Sequence, residues 1–86
     1  MKMIIVSIKD RAADAFARPF FVQTDNVAIR SFMDEVNRKD VDNNLYNHPD
    51  DYDLYGLGVF DDNTAIIEMY DAPKLLMLGK TAKTTV

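Results

Sequence analysis

The 86-residue chain has no cysteine, so neither a disulfide frame nor a thiolate metal site is open to it. That absence suits a reducing compartment. His48 is the only histidine, which leaves no second imidazole for a zinc site. No apolar run approaches the ~20 residues that a membrane span needs. The opening MKMIIVSIKDR is too short in its apolar part for a signal segment with a cleavage site. These absences together predict a soluble protein that stays where it is made.

Catalytic signatures are missing as well. There is no G-x-S-x-G elbow, no nucleophilic cysteine and no glycine loop to cradle phosphate. His48, Asp50, Asp51 and Asp53 crowd six residues, but they lack the alternating acids, glycine and closing Glu of a calcium loop. Neighbouring aspartates on a turn point apart, which argues against a paired-carboxylate hydrolase. Neither an enzyme, a metal site nor a cofactor is expected.

One sign of charge is missing from the middle of the chain. Residues 40–73 hold nine Asp/Glu and no Lys/Arg, a charge of −9. Residues 1–39 hold seven Lys/Arg against five Asp/Glu, and residues 74–86 hold three lysines and no acid. The net −4 opposes a nucleic-acid grip over the whole surface, but the basic ends leave room for a local one.

What is present reads as alternating short elements. Met3 to Ile8 is β-branched and apolar, a buried strand. Residues 15–23, AFARPFFVQ, form an edge strand or extended arm, because Pro19 has no N–H to give. Residues 25–38 predict an amphipathic helix capped by Thr24 or Asp25, with Ala28, Phe32 and Val36 on one stripe. His48-Pro49 sets a corner, and Asp50-Asp51 suit one helical turn. LYGLGVF, residues 54–60, and AIIEMY, residues 65–70, form a hairpin that ends at Ala72-Pro73, with Gly56 and Gly58 flattening one face; KLLMLGK, residues 74–80, then adds a short strand or a helical turn.

The order ββαββ predicts an α+β, two-layer domain: a mostly antiparallel four-stranded sheet covered by one helix. Residues 1–79 make a single domain and residues 80–86 a flexible tail. A chain this small buries only about 60–65% of its unfolded surface, so self-association is expected to complete it.

For binding, cations interleave with aromatic rings at Lys9, Arg11, Arg18, Phe20 and Arg30, and Lys80 and Lys83 add charge near the end. Basic grooves with aromatic platforms hold single strands without sequence preference. The plain alternative is that the rings are core and the charges only solubilise.

Three blocks carry a family resemblance: PFF, AIRSFMDEVN and NHPDDYDLYGLGVFDD. Across roughly residues 1–73 the chain resembles the small non-structural protein of the gokushovirus branch of the Microviridae, bacteriophages with single-stranded circular DNA. Pro19, Phe20, Phe21, Arg30, Phe32, His48, Pro49, Tyr52, Gly58 and Asp61 are among the positions that fit. The resemblance implies a non-structural protein in the cytoplasm of the bacterial host. It would bind single-stranded DNA or the replication complex during genome synthesis and packaging. It brings no catalytic residues. The rival expectation is an acidic protein–protein adaptor, or a DNA-mimic regulator of a host or phage replication factor. Expected partners are single-stranded DNA, a phage or host replication protein and further copies of the chain, with no membrane.

Overall fold

The structure, a computed structural model, describes residues 1–84. Strands β1 (Lys2–Asp10), β2 (Ala15–Phe16) and β3 (Phe20–Val22) precede helix α1 (Asp25–Val36). Then come a short helix α2 (Asn44–Asn47), a 3₁₀ turn over Pro49–Asp51, strands β4 (Tyr52–Asp61) and β5 (Ile66–Leu78), and a final turn of helix α3 (Gly79–Ala82). The antiparallel sheet runs β2-β1-β4-β5, with β3 also paired to β1. The expected α+β architecture, one main helix on a mostly antiparallel sheet, is what forms.

β2 and β3 are one edge strand in two pieces. Phe16 pairs with Lys9, and Phe20 to Val22 pair with Val6 to Ile4. Pro19 sits in the gap, where a missing N–H breaks no ladder bond. The buried Ser7 hydroxyl donates to the Ala17 carbonyl at 2.6 Å and ties the gap to β1.

α1 starts where Thr24 Oγ1 accepts from the Val27 amide and stops at Asn37. Its stripe of Ala28, Phe32 and Val36 is buried against Val6, Leu54 and Ala82. Loss of a ring such as that of Phe32 from this core would cost about 3–5 kcal/mol. Ile4, Val6 and Ile8 alternate toward α1, which places Met3, Ile5, Ser7 and Lys9 on the opposite, open face.

Three expectations are corrected. The last strand does not end at Ala72-Pro73: β5 runs to Leu78. β5 is an edge strand, so Pro73 sits in a bulge without breaking inner ladder bonds. Gly58 pairs with Met69 and Gly56 with Lys74, which leaves Tyr70 to Pro73 outside the regular register. Second, Gly56 and Gly58 do not share a face. They pair with the adjacent residues Val6 and Ile5, because an irregularity at Leu57 flips the alternation. Third, the chain from residue 80 is not a free tail as far as it is described. Ala82 is fully buried, and Asn37 binds the Ala82 carbonyl at 2.9 Å and the Thr84 amide at 3.0 Å. Residues 85–86 of that expected tail lie outside the described residues.

Candidate functional site

The helices cover one face of the sheet. The other carries Phe16, Phe21, Tyr55 and Phe60, placed there by strand alternation and register. Phe21 and Phe60 stand on the two strands flanking β1, yet their centroids are only 5.5 Å apart in an edge-to-face contact. The rings therefore arch over β1, above Ile5, which is buried. Gly58, the cross-strand partner of Ile5, is approached closely by the β5 backbone at Glu68 and Met69. Phe16 and Tyr55 repeat the arrangement above Ser7, again at 5.5 Å and edge-to-face. Two residues of strand separate the arches, about 7 Å.

Both arches remain open to solvent: Phe16 is 42% exposed and Phe21 48%. Ile67, Met69 and Leu75 of β5 extend the same face, since they pair with Phe60, Gly58 and Tyr55. The result is a continuous apolar face without a covering layer.

Charge is sorted between the two faces. On the open face, the charged residues at paired positions are Lys9 and Asp53. Lys9 Nζ lies 5.5 Å from the Phe16 ring centroid and 3.4 Å from Asp14 Oδ1. Asp53 is 2% exposed, and its carboxylate meets Arg11 Nε at 3.1 Å and the Gly79 amide at 3.2 Å. Asp10, Asp61, Glu68 and Lys74 alternate to the helix side, where Lys74 reaches Asp25 at 3.6 Å.

The residues expected to bind nucleic acid do not form one patch. Lys9 stands beside Phe16 on the open face. Arg11 is committed to the corner: its guanidinium takes Asp53 and the Asp50 carbonyl, and its amide donates to the Asp51 carbonyl. Arg18 lies in the exposed gap between β2 and β3. Phe20 pairs with Val6 and so turns to the helix side. Arg30 is exposed on α1, about 200° around the helix from buried Ala28. Lys80 is exposed on α3, whereas Lys83 donates to the Tyr46 carbonyl at 3.0 Å and lies 3.4 Å from that ring's centroid. Arg18, Arg30 and Lys80 make no ion pair among the described residues.

Tyr55 and Phe60 were missed as surface rings from the sequence alone. A strand's alternation says which residues share a face but not which face the helix will cover. Register across β1 brings the rings together, and no local signal encodes that.

The corner HPDDYD is tightly packed. Pro49 opens the 3₁₀ turn, and the Pro49 and Tyr52 carbonyls pack so closely on Gly79 that no Cβ fits there. Burial, with the nearby charges of Asp10 and Asp51, pushes the Tyr52 hydroxyl pKa up. Among the described residues, no three His, Cys, Asp or Glu side chains gather into a metal site. No described helix is long and apolar enough to cross a membrane.

Neither the curated proteins nor the solved structures offer a match. A family model does match, over residues 3–83, nearly the whole chain. By that match the chain belongs to the Phage ORF5 protein family, and it is a bacteriophage protein.

Proposed function

We propose that this phage protein binds single-stranded DNA during genome synthesis and packaging, using the open face of its sheet. The observation that carries the proposal is the pair of solvent-facing aromatic arches, Phe16–Tyr55 and Phe21–Phe60, beside Lys9. Nucleobases stack on aromatic side chains whatever their sequence, at about 1–3 kcal/mol per base. The only acid at a paired position on this face is Asp53, and Arg11 neutralises it. Phosphates approaching the rings would meet Lys9, in competition with the exposed Asp14 carboxylate 3.4 Å from its Nζ. The resemblance to gokushovirus non-structural proteins supports the same role, in the cytoplasm of the infected host. The protein acts by binding and not as an enzyme, and it works as a homo-oligomer.

The test is a fluorescence-polarisation titration of a labelled single-stranded oligonucleotide at low and raised ionic strength. Unmutated protein should give a salt-sensitive shift. Phe16→Ala and Phe21→Ala should each weaken binding roughly tenfold, and Lys9→Ala should lower the salt slope by about 1. If Arg18→Ala with Arg30→Ala abolishes binding while the ring variants leave it intact, the DNA lies elsewhere. No shift at low salt would end the DNA reading.

The acidic-adaptor or DNA-mimic reading has less support. A flat Gly56/Gly58 surface would suit a protein partner, but the irregularity at Leu57 divides the two glycines between opposite faces. Its acids are also dispersed: Asp53 is buried, and Asp40 is held by Arg38. A pull-down from infected cells that recovers a protein partner and no DNA would restore it.

A further inference from the structure

The inner side of β5 is paired to β4 and its outer side is open, making it the long unpaired edge of the sheet. It spans 13 residues, whereas the opposite edge is cut into β2 and β3 by the gap at Pro19. Ile66, Ile67, Met69 and Leu75 on this edge are each about half exposed, between 48% and 58%. An open edge with apolar side chains is a template for another strand. Charges and proline on an edge ordinarily block such pairing, and β5 has Glu68, Asp71, Pro73 and Lys74.

Their spacing changes that conclusion. Glu68 and Lys74 each lie three residues from Asp71, and Ile67 and Leu75 each lie four. Glu68 and Lys74 both alternate to the helix side, opposite Val59 and Gly56. Ile67 and Leu75 both stand on the open face, opposite Phe60 and Tyr55. The strand is therefore self-complementary about Asp71, in sign of charge and in face.

We propose that two copies of the chain join antiparallel through β5, about a two-fold axis at Asp71. Glu68 then faces Lys74 of the partner subunit, twice by symmetry, and Ile67 packs on Leu75 of the partner subunit. Moving the axis by one residue either way sets Glu68 against Ala72 or Leu76 and loses both ion pairs. The bulge over Tyr70 to Pro73 lies on the axis, so the pairing forms two short ladders flanking it. The joined sheets bring the open faces of both copies to one side, which doubles the aromatic surface. This inference rests on the proposed self-association and adds its geometry. It does not depend on DNA.

The chain has no cysteine, so introduced thiols report their neighbours cleanly. Paired residues lie about 4.5–5.5 Å apart across an antiparallel ladder, within disulfide reach of roughly 4.4–6.8 Å. Under mild oxidation Ile67→Cys combined with Leu75→Cys should give a disulfide-linked dimer, and Phe21→Cys should not. In sedimentation, Glu68→Lys and Lys74→Glu should each raise the dimer Kd by about tenfold, and the double reversal should restore it. If the double reversal stays as weak as the singles, or if Phe21→Cys cross-links and the Ile67→Cys, Leu75→Cys pair does not, the edge arrangement is overturned while self-association stands. A wild-type monomer at tens of micromolar overturns both.

Discussion

Arg11 Nε lies 3.1 Å from Asp53 Oδ2, and the carboxylate it meets is almost fully buried. The pair joins the end of β1 to the start of β4, and the second Asp53 oxygen accepts the Gly79 amide at 3.2 Å. Removing one partner of such a pair strands a buried charge. Arg11→Ala should therefore lower unfolding free energy by about 2–3 kcal/mol, below the full figure for a sealed pair because Arg11 itself is half exposed. Chemical denaturation measures this. An unchanged midpoint would mean that water already compensates Asp53. Any DNA-binding loss in this variant would follow the loss of fold, so binding is better probed at Lys9.

Two glycines are required by close approach and not by backbone angle. A Cβ at Gly79 would run into the Pro49 and Tyr52 carbonyls, and one at Gly58 into the Glu68 carbonyl and, at 2.9 Å, Met69 Cα. All of these are backbone atoms, which cannot swing aside. Gly58→Ala and Gly79→Ala should each destabilise by about 1–3 kcal/mol, read as a drop in Tm. Gly56 is the internal control: a Cβ there meets only side-chain atoms at 3.4 Å or beyond, so Gly56→Ala should be milder.

Ala65 closes the β4–β5 turn with φ of 62°, in the left-handed region. A side chain there costs about 1 kcal/mol. Ala65→Gly should raise stability by about 0.5–1 kcal/mol, seen as a higher denaturant midpoint. The neighbouring hydrogen bonds, Ala65 N–H to Asp61 O at 2.7 Å and Ile66 N–H to Thr64 Oγ1 at 3.3 Å, should persist.

Stability should fall at both ends of the pH scale. The Arg38 hydrogen bonds hold the Glu35 carboxyl below its usual range, and the Asp42 amide, then Arg38, does the same for Asp40. Their contribution is present above pH 4.5 and 3.8 and is lost as the pH drops through the lowered folded values. Arg38→Ala should flatten that acid limb. Burial raises the Tyr52 pKa, so the unfolded chain ionises first and stability is lost as the pH rises past 10. Tyr52→Phe should remove this part of the alkaline limb in a pH series of thermal melts.

Much of the fold was legible because its signals are local. The apolar stripe at Ala28, Phe32 and Val36 and the Thr24 cap define α1 within a residue or two. Pro19 marked an edge correctly, since a missing N–H is a property of one residue. The Pro49 corner was equally plain. Pro73 misled for the same reason: its strand is an edge too, which depends on what lies beside it. Gly56 and Gly58 misled because a single irregularity at Leu57 reverses the alternation after it.

The candidate site was less legible. Cation-and-ring composition pointed to the N-terminal third, and Lys9 and Phe16 do meet there. Arg11, by contrast, is spent on Asp53, a residue 42 positions away that no spacing rule could nominate. Order, capping, charge blocks and family are written along the chain, because propensity and motif act over a few residues. Tertiary structure alone decided that Gly79 packs into the HPDDYD corner, that four rings arch over β1 and that β5 is left as an open edge. Those depend on register between strands far apart in sequence, where a one-residue slip exchanges the buried face for the exposed one.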